Sequence, residues 1–414
     1  MSRTKNYKIT LAACYTGYIN QAVVVNLAPL LFLIFRERFG ISYAQIGMLT
    51  LANFVTQLTT DFVAAFTVDK IGYRRAAITS QLLAFAGLVL ISVLPNIMPQ
   101  PYTGLIIATL LYAVGGGLME VIISPVAASV PSMKSAGKMN ILHSFYSWGQ
   151  VIVVLLTTAA LKIAGADLWY YIPAAWAVIP LINVAMFSIA PIMQPVSESM
   201  RTPAKKLFQN KSFLVFLVLM TCAGASELAM SQWASLFAEK GLGVTKMVGD
   251  ILGPCLFAVF MGVGRVIYGV LDNRIDIRKH IFINSVLCAL CYIITAFSLN
   301  PFISLLACAF CGFTVSLMWP GVLGVCSESF PYAGTFMFAL LAVFGDIGCS
   351  VGPFLTGLVS DIVIKCEPVL RLGEGFGLSP DSVGLKCGLL ITIIFPVISC
   401  LLLNKTKNTP CGDE

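Results

Sequence analysis

Apolar runs of about 20 residues recur along the whole chain, each closed by a short polar or basic stretch. A helix needs about 20 such residues to cross the hydrocarbon core of a bilayer. Counting the runs predicts twelve membrane helices, over residues 8–35, 42–67, 74–95, 101–130, 139–164, 168–192, 211–239, 247–271, 279–299, 301–327, 333–363 and 384–403. Most connections are short. Gln194 to Asn210, which holds Arg201, Lys205 and Lys206, joins the sixth and seventh helices, and Lys365 to Gly384 joins the last two. The expected fold is therefore an all-α integral membrane protein. It has a six-helix bundle over residues 1–193, a linker over 194–210 and a second six-helix bundle over 211–414.

Composition supports this reading. The chain has 414 residues, 58% hydrophobic and 11% charged, with a mean hydropathy of +0.89. A soluble domain carries about 25% charged residues. The net charge of +7 does not point to nucleic acid, because basic loops on one side of a membrane account for it. With the N-terminus placed in the cytoplasm, most of the 26 lysines and arginines fall on that side, which predicts both termini inside. The start MSRTKNYKIT runs straight into the first helix without a small-residue cleavage site, so no signal peptide is expected. The 13 cysteines lie mostly within apolar runs. CALC (Cys288, Cys291) and CAFC (Cys308, Cys311) have no histidine nearby, so packing is expected there and no metal. Cys366 and Cys387 lie near the ends of the last long loop, and either form a disulfide, if that loop faces an oxidising space, or are two free thiols at helix ends.

Chemistry concentrates between Gly115 and Gln150. Glu120 interrupts an otherwise apolar helix. An acid at bilayer depth costs about 2.5–3.5 kcal/mol on insertion scales and usually faces a cavity or a partner. Ser124 lies one turn further on the same face, and Pro125 should then break the ladder. On the next helix Asn140, His143, Ser147 and Gln150 form a polar stripe. Interhelical hydrogen bonding is the plainer reading of the serines and amides. Glu120 is expected to load and release a proton, with His143 modulating it.

Other intramembrane polar groups form lines of their own. Asn53, Gln57 and Asp61 fall on one face of the second helix, and Glu227, Ser231 and Ser235 on one face of the seventh. Trp233 and Trp319 suit either a solute cavity or ordinary packing. Trp319 precedes Pro320, so that helix should be broken. Asp346, in AVFGDIGCSVGPFLTG, either lines a pathway or pairs with basic loop residues, and its glycines allow close helix approach. Arg265 should pair with an acid on a neighbouring helix.

The halves echo each other. VDKIGYRR (Val68 to Arg75) follows the second helix and LDNRIDIRK (Leu271 to Lys279) follows the eighth, as in parallel-repeat transporters. AAFTVDKIGYRR resembles the loop motif of the major facilitator superfamily. Asp69, Lys70, Gly72 and Arg74 match it, while Ala65 and Tyr73 depart from it. The resemblance implies two pseudo-symmetric bundles around a central polar cavity. It assigns gating to Asp69, Lys70, Gly72, Arg74, Arg75 and, in the echo, Asp272. Within the superfamily, GGGLMEVIISP, NILHSFYSWG and GASELAMSQW are similar to segments of the fucose–proton symporter group. This implies solute-binding or proton-coupling roles for Glu120, Asn140, His143, Glu227 and Trp233. Asn20, Gln21 and Asp346 join them from their positions. The first helix, YINQAVVVNL, has no acid where that group has one, so coupling should rest on fewer groups.

These readings predict a secondary active transporter in the cell membrane that takes up a small polar solute, a sugar or similar, by proton symport. Its expected partners are the solute, protons and the lipid bilayer, with no nucleic acid, no cofactor and a monomeric state. Drug or metabolite efflux by proton antiport is the competing carrier reading, although the fifth helix, WGQVIVVLLTTAAL, lacks the Gly-Pro-rich motif usual there. A non-transporting membrane sensor is the alternative from another class. Enzyme chemistry is not expected, since no nucleophile–base spacing or paired metal ligands occur and there are two histidines.

Overall fold

A computed structural model describes residues 7–41, 43–133, 136–192, 204–245, 248–249, 251–271 and 274–405. These are almost entirely helical, and no strand occurs among them. Ten described helices are long and apolar enough to cross a membrane. The two others at the N-terminus, α1 (Lys8–Phe39) and α2 (Tyr43–Ile71), run for 32 and 29 residues. Asn20, Gln21 and Asn26 interrupt the first, and Asn53, Gln57 and Asp61 the second. Among the described residues the count of such spans is therefore ten, where twelve are expected.

The chain continues through α3 (Tyr73–Ile97), α4 (Pro101–Ala128), α5 (Ala136–Ala164), α6 (Tyr171–Trp176) and α7 (Val178–Ile189). After α8 (Ala204–Gln209) come α9 (Lys211–Leu236), α10 (Leu256–Leu271), α11 (Ile277–Phe297), α12 (Pro301–Val315) and α13 (Met318–Ser329). The last four are α14 (Gly334–Ile364), α15 (Glu367–Glu374), α16 (Pro380–Ile391) and α17 (Ile394–Lys405).

Three apolar spans are broken in two, and one rule explains all three. Proline has no N–H for the carbonyl four residues back. Pro180, Pro320 and Pro396 leave the carbonyls of Trp176, Ser316 and Thr392, and the helices part at these residues. The break expected near Trp319 thus falls one turn earlier. Pro125 behaves otherwise, because α4 runs on past it to Ala128, and α14 likewise passes through Pro353.

The described chain clusters into two compact units. The first comprises Met1–Lys134, Phe145–Pro203 and Tyr332–Val343, and the second Ser135–Ser144, Ala204–Pro331 and Phe344–Glu414. In the first, α3 and α4 pack backbone to backbone. A Cβ on Gly87 would stand 2.5 Å from Tyr112 N, and one on Gly115 2.6 Å from Ala84 N. Leu27, Leu31, Phe35, Leu88, Leu105 and Trp169 fill the core beside them. In the second unit, Gly348 and Gly352 of α14 face the backbone of Thr221 and Ala225 on α9, which is the close approach read from the glycines.

Two basic side chains close helix C-termini, where carbonyls lack partners. Arg74 donates to the carbonyls of Phe187, Ser188 and Ala190 at the end of α7. Buried Lys386 donates to Ala296 O and Ser298 O at 3.1 and 2.7 Å, at the end of α11. Cys366 and Cys387 are both free thiols, so the disulfide weighed from their positions is absent. Cys288 and Cys311 bring their sulfurs to 3.8 Å in the core between α11 and α12.

Candidate functional site

In the first unit the loop motif resolves into separate tasks. Gly72 has φ +89°, a conformation that favours glycine, and is the single residue between α2 and α3. Its N–H closes α2 on Val68 O at 2.8 Å. Thr335 Oγ1, on the first turn of α14, donates to Asp69 Oδ1 at 2.5 Å. Tyr73 Oη lies 2.6 Å from Thr335 Oγ1. That hydroxyl has its one proton committed to Asp69, so Tyr73 is the donor. Asp69 thereby holds the start of α14 to the end of α2, with Phe66 against Phe336 at 5.5 Å alongside. Lys70 and Arg75 are exposed, and Arg74 is spent on the end of α7. Asp272, the equivalent in the echoed loop, lies outside the described residues.

A second group in this unit joins α1, α2, α3 and α4. Neighbours Asn20 and Gln21 point to different helices. Asn20 Nδ2 donates to Gln81 Oε1 at 3.0 Å. Gln21 Nε2 donates to Gln57 Oε1 at 2.8 Å and to Glu120 Oε2 at 3.0 Å. Glu120 is half-buried, whereas Asp61 is fully enclosed, and carboxylate oxygens of the two lie within 4.8 Å. Ser124 meets Tyr18 Oη at 3.1 Å, an interhelical hydrogen bond of the plainer kind. Asp61 is the residue that reading the sequence underweighted. Its line with Asn53 and Gln57 was legible, but its place beside Glu120 was not.

In the second unit Arg265 finds its acid. Its Nη2 lies 3.2 Å from Glu227 Oε2, with both side chains nearly closed to solvent. Its Nε donates to Ser316 O at 3.3 Å, the carbonyl that Pro320 leaves without a partner. Its Nη1 donates to His143 O at 3.0 Å. Asn140 and His143 are buried here, at the start of α5. They belong to the second unit, while Glu120 belongs to the first. Trp233 Nε1 donates to Pro353 O at 3.1 Å, and Trp319 is buried with its ring against Gly345, so both indoles pack inside this unit. Asp346 is buried next to that glycine on α14.

The chemistry on offer is oxygen- and amide-based. Carboxylates and primary amides inside an apolar bundle suit hydroxyl-rich solutes and small cations.

A profile of the Major Facilitator Superfamily matches residues 11–353. Among solved structures, FucP, described as a Major Facilitator Superfamily transporter in the outward conformation, is similar. It is 16% identical, with 97% of this chain and 100% of that one covered and a TM-score of 0.76. A second structure of FucP, the E. coli fucose:proton symporter carrying one substitution, is 15% identical over 98% and 100% of the two chains, with a TM-score of 0.73. The proton:xylose symporter XylE, bound to 6-bromo-6-deoxy-D-glucose, is 12% identical over 96% and 95%, with a TM-score of 0.73.

Proposed function

The chain belongs to the Major Facilitator Superfamily, and from that premise we propose that it moves a small polar solute, a sugar or similar, across the cell membrane by proton symport. Transport is by alternating access, with the two halves, 1–193 and 211–414, joined by a cytoplasmic linker over 194–210. The observation that carries this reading is the carboxylate of Glu120. It sits in a membrane helix beside the amides of Gln21 and Gln57, where an acid is costly unless it has work to do. FucP and XylE support the direction of the reading, since both are described as proton symporters of sugars.

Glu120, Asn20 and Gln21 meet the solute or its proton in the first half. Asn140 and His143 of the first half, with Glu227, Trp233 and Asp346 of the second, shape the path. Asp69, with Lys70, Gly72, Arg74, Arg75 and Asp272, acts in gating. The protein works as a monomer, is embedded in lipid, has both termini in the cytoplasm and is not an enzyme.

Uptake into proteoliposomes tests this. A panel of labelled neutral sugars is offered with and without an inward proton gradient. Gradient-dependent accumulation that a protonophore collapses is expected. Absence of flux for every solute, from protein shown to be folded, favours the sensor reading. Outward, gradient-driven movement of hydrophobic drugs favours the antiporter. Labelling of a thiol introduced near Arg201 tests orientation, and reaction from outside intact cells overturns it.

A further inference from the structure

The three consecutive glycines of α4, Gly115 to Gly117, serve different neighbours. Gly115 lets α4 lie on α3, as above. Gly116 and Gly117 instead leave room for side-chain oxygens. A Cβ at Gly116 would stand 3.0 Å from Gln21 Oε1 and 3.4 Å from Gln57 Oε1. One at Gly117 would stand 2.8 Å from Asp61 Oδ1. Glu120 follows one turn later on the same helix, with a carboxylate oxygen within 4.8 Å of one on Asp61.

The amide orientation is set by its bonds. Gln21 Nε2 serves both Gln57 Oε1 and Glu120 Oε2, which leaves Gln21 Oε1 buried without a donor. Gln21 is 3% exposed, so that oxygen gains little from water. A buried acceptor left unmet costs about 1–3 kcal/mol. Two carboxylates at this separation also repel each other. One bound cation relieves both costs.

The donor set identifies the class of cation. The acceptors gathered here, two carboxylates and two amide oxygens, are all oxygens, with Val24 Cγ1 as an apolar wall at Gly116, which suits a hard ion and not a soft one. Hard-ion contacts of about 2.3–2.6 Å, as for calcium, let one ion bridge oxygens up to about 5 Å apart. Calcium takes about 6–8 oxygens, and magnesium keeps several waters. Two carboxylates and two amide oxygens in a glycine-lined recess provide fewer ligands, as a small monovalent ion needs. Gln57 Nε2 is likewise buried without an acceptor.

We infer that Asp61, Glu120, Gln21 and Gln57 form a sodium site. This rests on the reading of Glu120 as the coupling carboxylate, and it makes Asp61, on the second helix, the second acid that the first helix lacks.

Binding of radioactive sodium to the purified full-length protein in detergent, near neutral pH, tests the site. Saturable binding of about one ion per chain is expected. Asp61→Asn and Glu120→Gln should each weaken it at least about tenfold, the scale on which metal-site changes act. Ser350→Ala, in the other unit, should leave it unchanged. Melting temperatures check folding. If Asp61→Asn does not fold, Gly116→Ala provides the milder test, since its Cβ meets side chains only, Val24 Cγ1 at 2.9 Å and Gln21 Oε1 at 3.0 Å, and should lower sodium affinity severalfold. No saturable binding in the wild type, or full binding in a folded Asp61→Asn protein, overturns the inference. Sugar uptake by the same preparations keeps the two readings apart. Proton-driven uptake without sodium binding removes the sodium site and leaves the proposed function. Sodium binding without any solute flux keeps the site and removes that function.

Discussion

Arg265 and Glu227 form an ion pair, 3.2 Å apart, that is almost closed to solvent, and the same guanidinium holds the carbonyls of Ser316 and His143. One side chain thus repairs a proline break and ties α9 and the start of α5 to α10. Removing one partner of a buried pair leaves a bare charge and costs about 3–5 kcal/mol. Arg265→Met should therefore lower the melting temperature in detergent markedly. Arg265→Met/Glu227→Leu should recover part of the loss, but not the bonds to the two carbonyls. A single variant that melts like the wild type would contradict this account.

Glu120→Gln mimics the protonated carboxyl and keeps its shape. A potential of 100 mV supplies about 2.3 kcal/mol per charge moved, enough for roughly 50-fold accumulation. The variant should lose that accumulation yet still bind or exchange solute. Uphill uptake that survives in the variant, and collapses with a protonophore, would assign the proton to another group, with Glu227 and Asp346 next in line.

Asp69, near the end of α2, accepts from Thr335 at the first turn of α14. Asp69→Asn keeps an acceptor but loses the charge at a helix N-terminus, worth about 0.3–1 kcal/mol. Transport should slow while equilibrium solute affinity stays within a few-fold. Loss of binding from a folded variant would place Asp69 in the solute site.

Glycine substitutions separate packing from loop entropy. A Cβ on Gly348 would collide with the Thr221 backbone, so Gly348→Ala should cost about 1–3 kcal/mol through overpacking. Gly375 has φ −60°, and a Cβ there would come no nearer than 3.4 Å to another group, Leu372 O. Gly375→Ala should be neutral or stabilise by up to about 1 kcal/mol. Thermal unfolding of the two variants side by side checks the order.

Cys366 and Cys387 are free thiols. Gel mobility and titratable thiol content should therefore be the same before and after reduction. A mobility shift that Cys366→Ser removes would show a bond.

The helices, and the break before Pro320, were readable because both depend on local rules. Inside hydrocarbon each backbone group must be satisfied within its own segment, so an apolar run of sufficient length declares a helix. The partings at Trp176, Ser316 and Thr392 follow from prolines four residues on. The turn at Gly72 and the close approach at Gly348 were legible as glycine positions for the same local reason. What the polar residues do is another matter, because it depends on which helices meet. Asn20 and Gln21 are adjacent in sequence, yet one reaches Gln81 and the other Gln57 and Glu120. Arg74, read as part of a gate, closes a helix end beyond residue 186. The acid for Arg265 and the place of Asp61 beside Glu120 came only from packing. Faces with several polar residues can pair in many ways, and the glycines that choose among those ways act through backbone contacts between helices far apart in the chain.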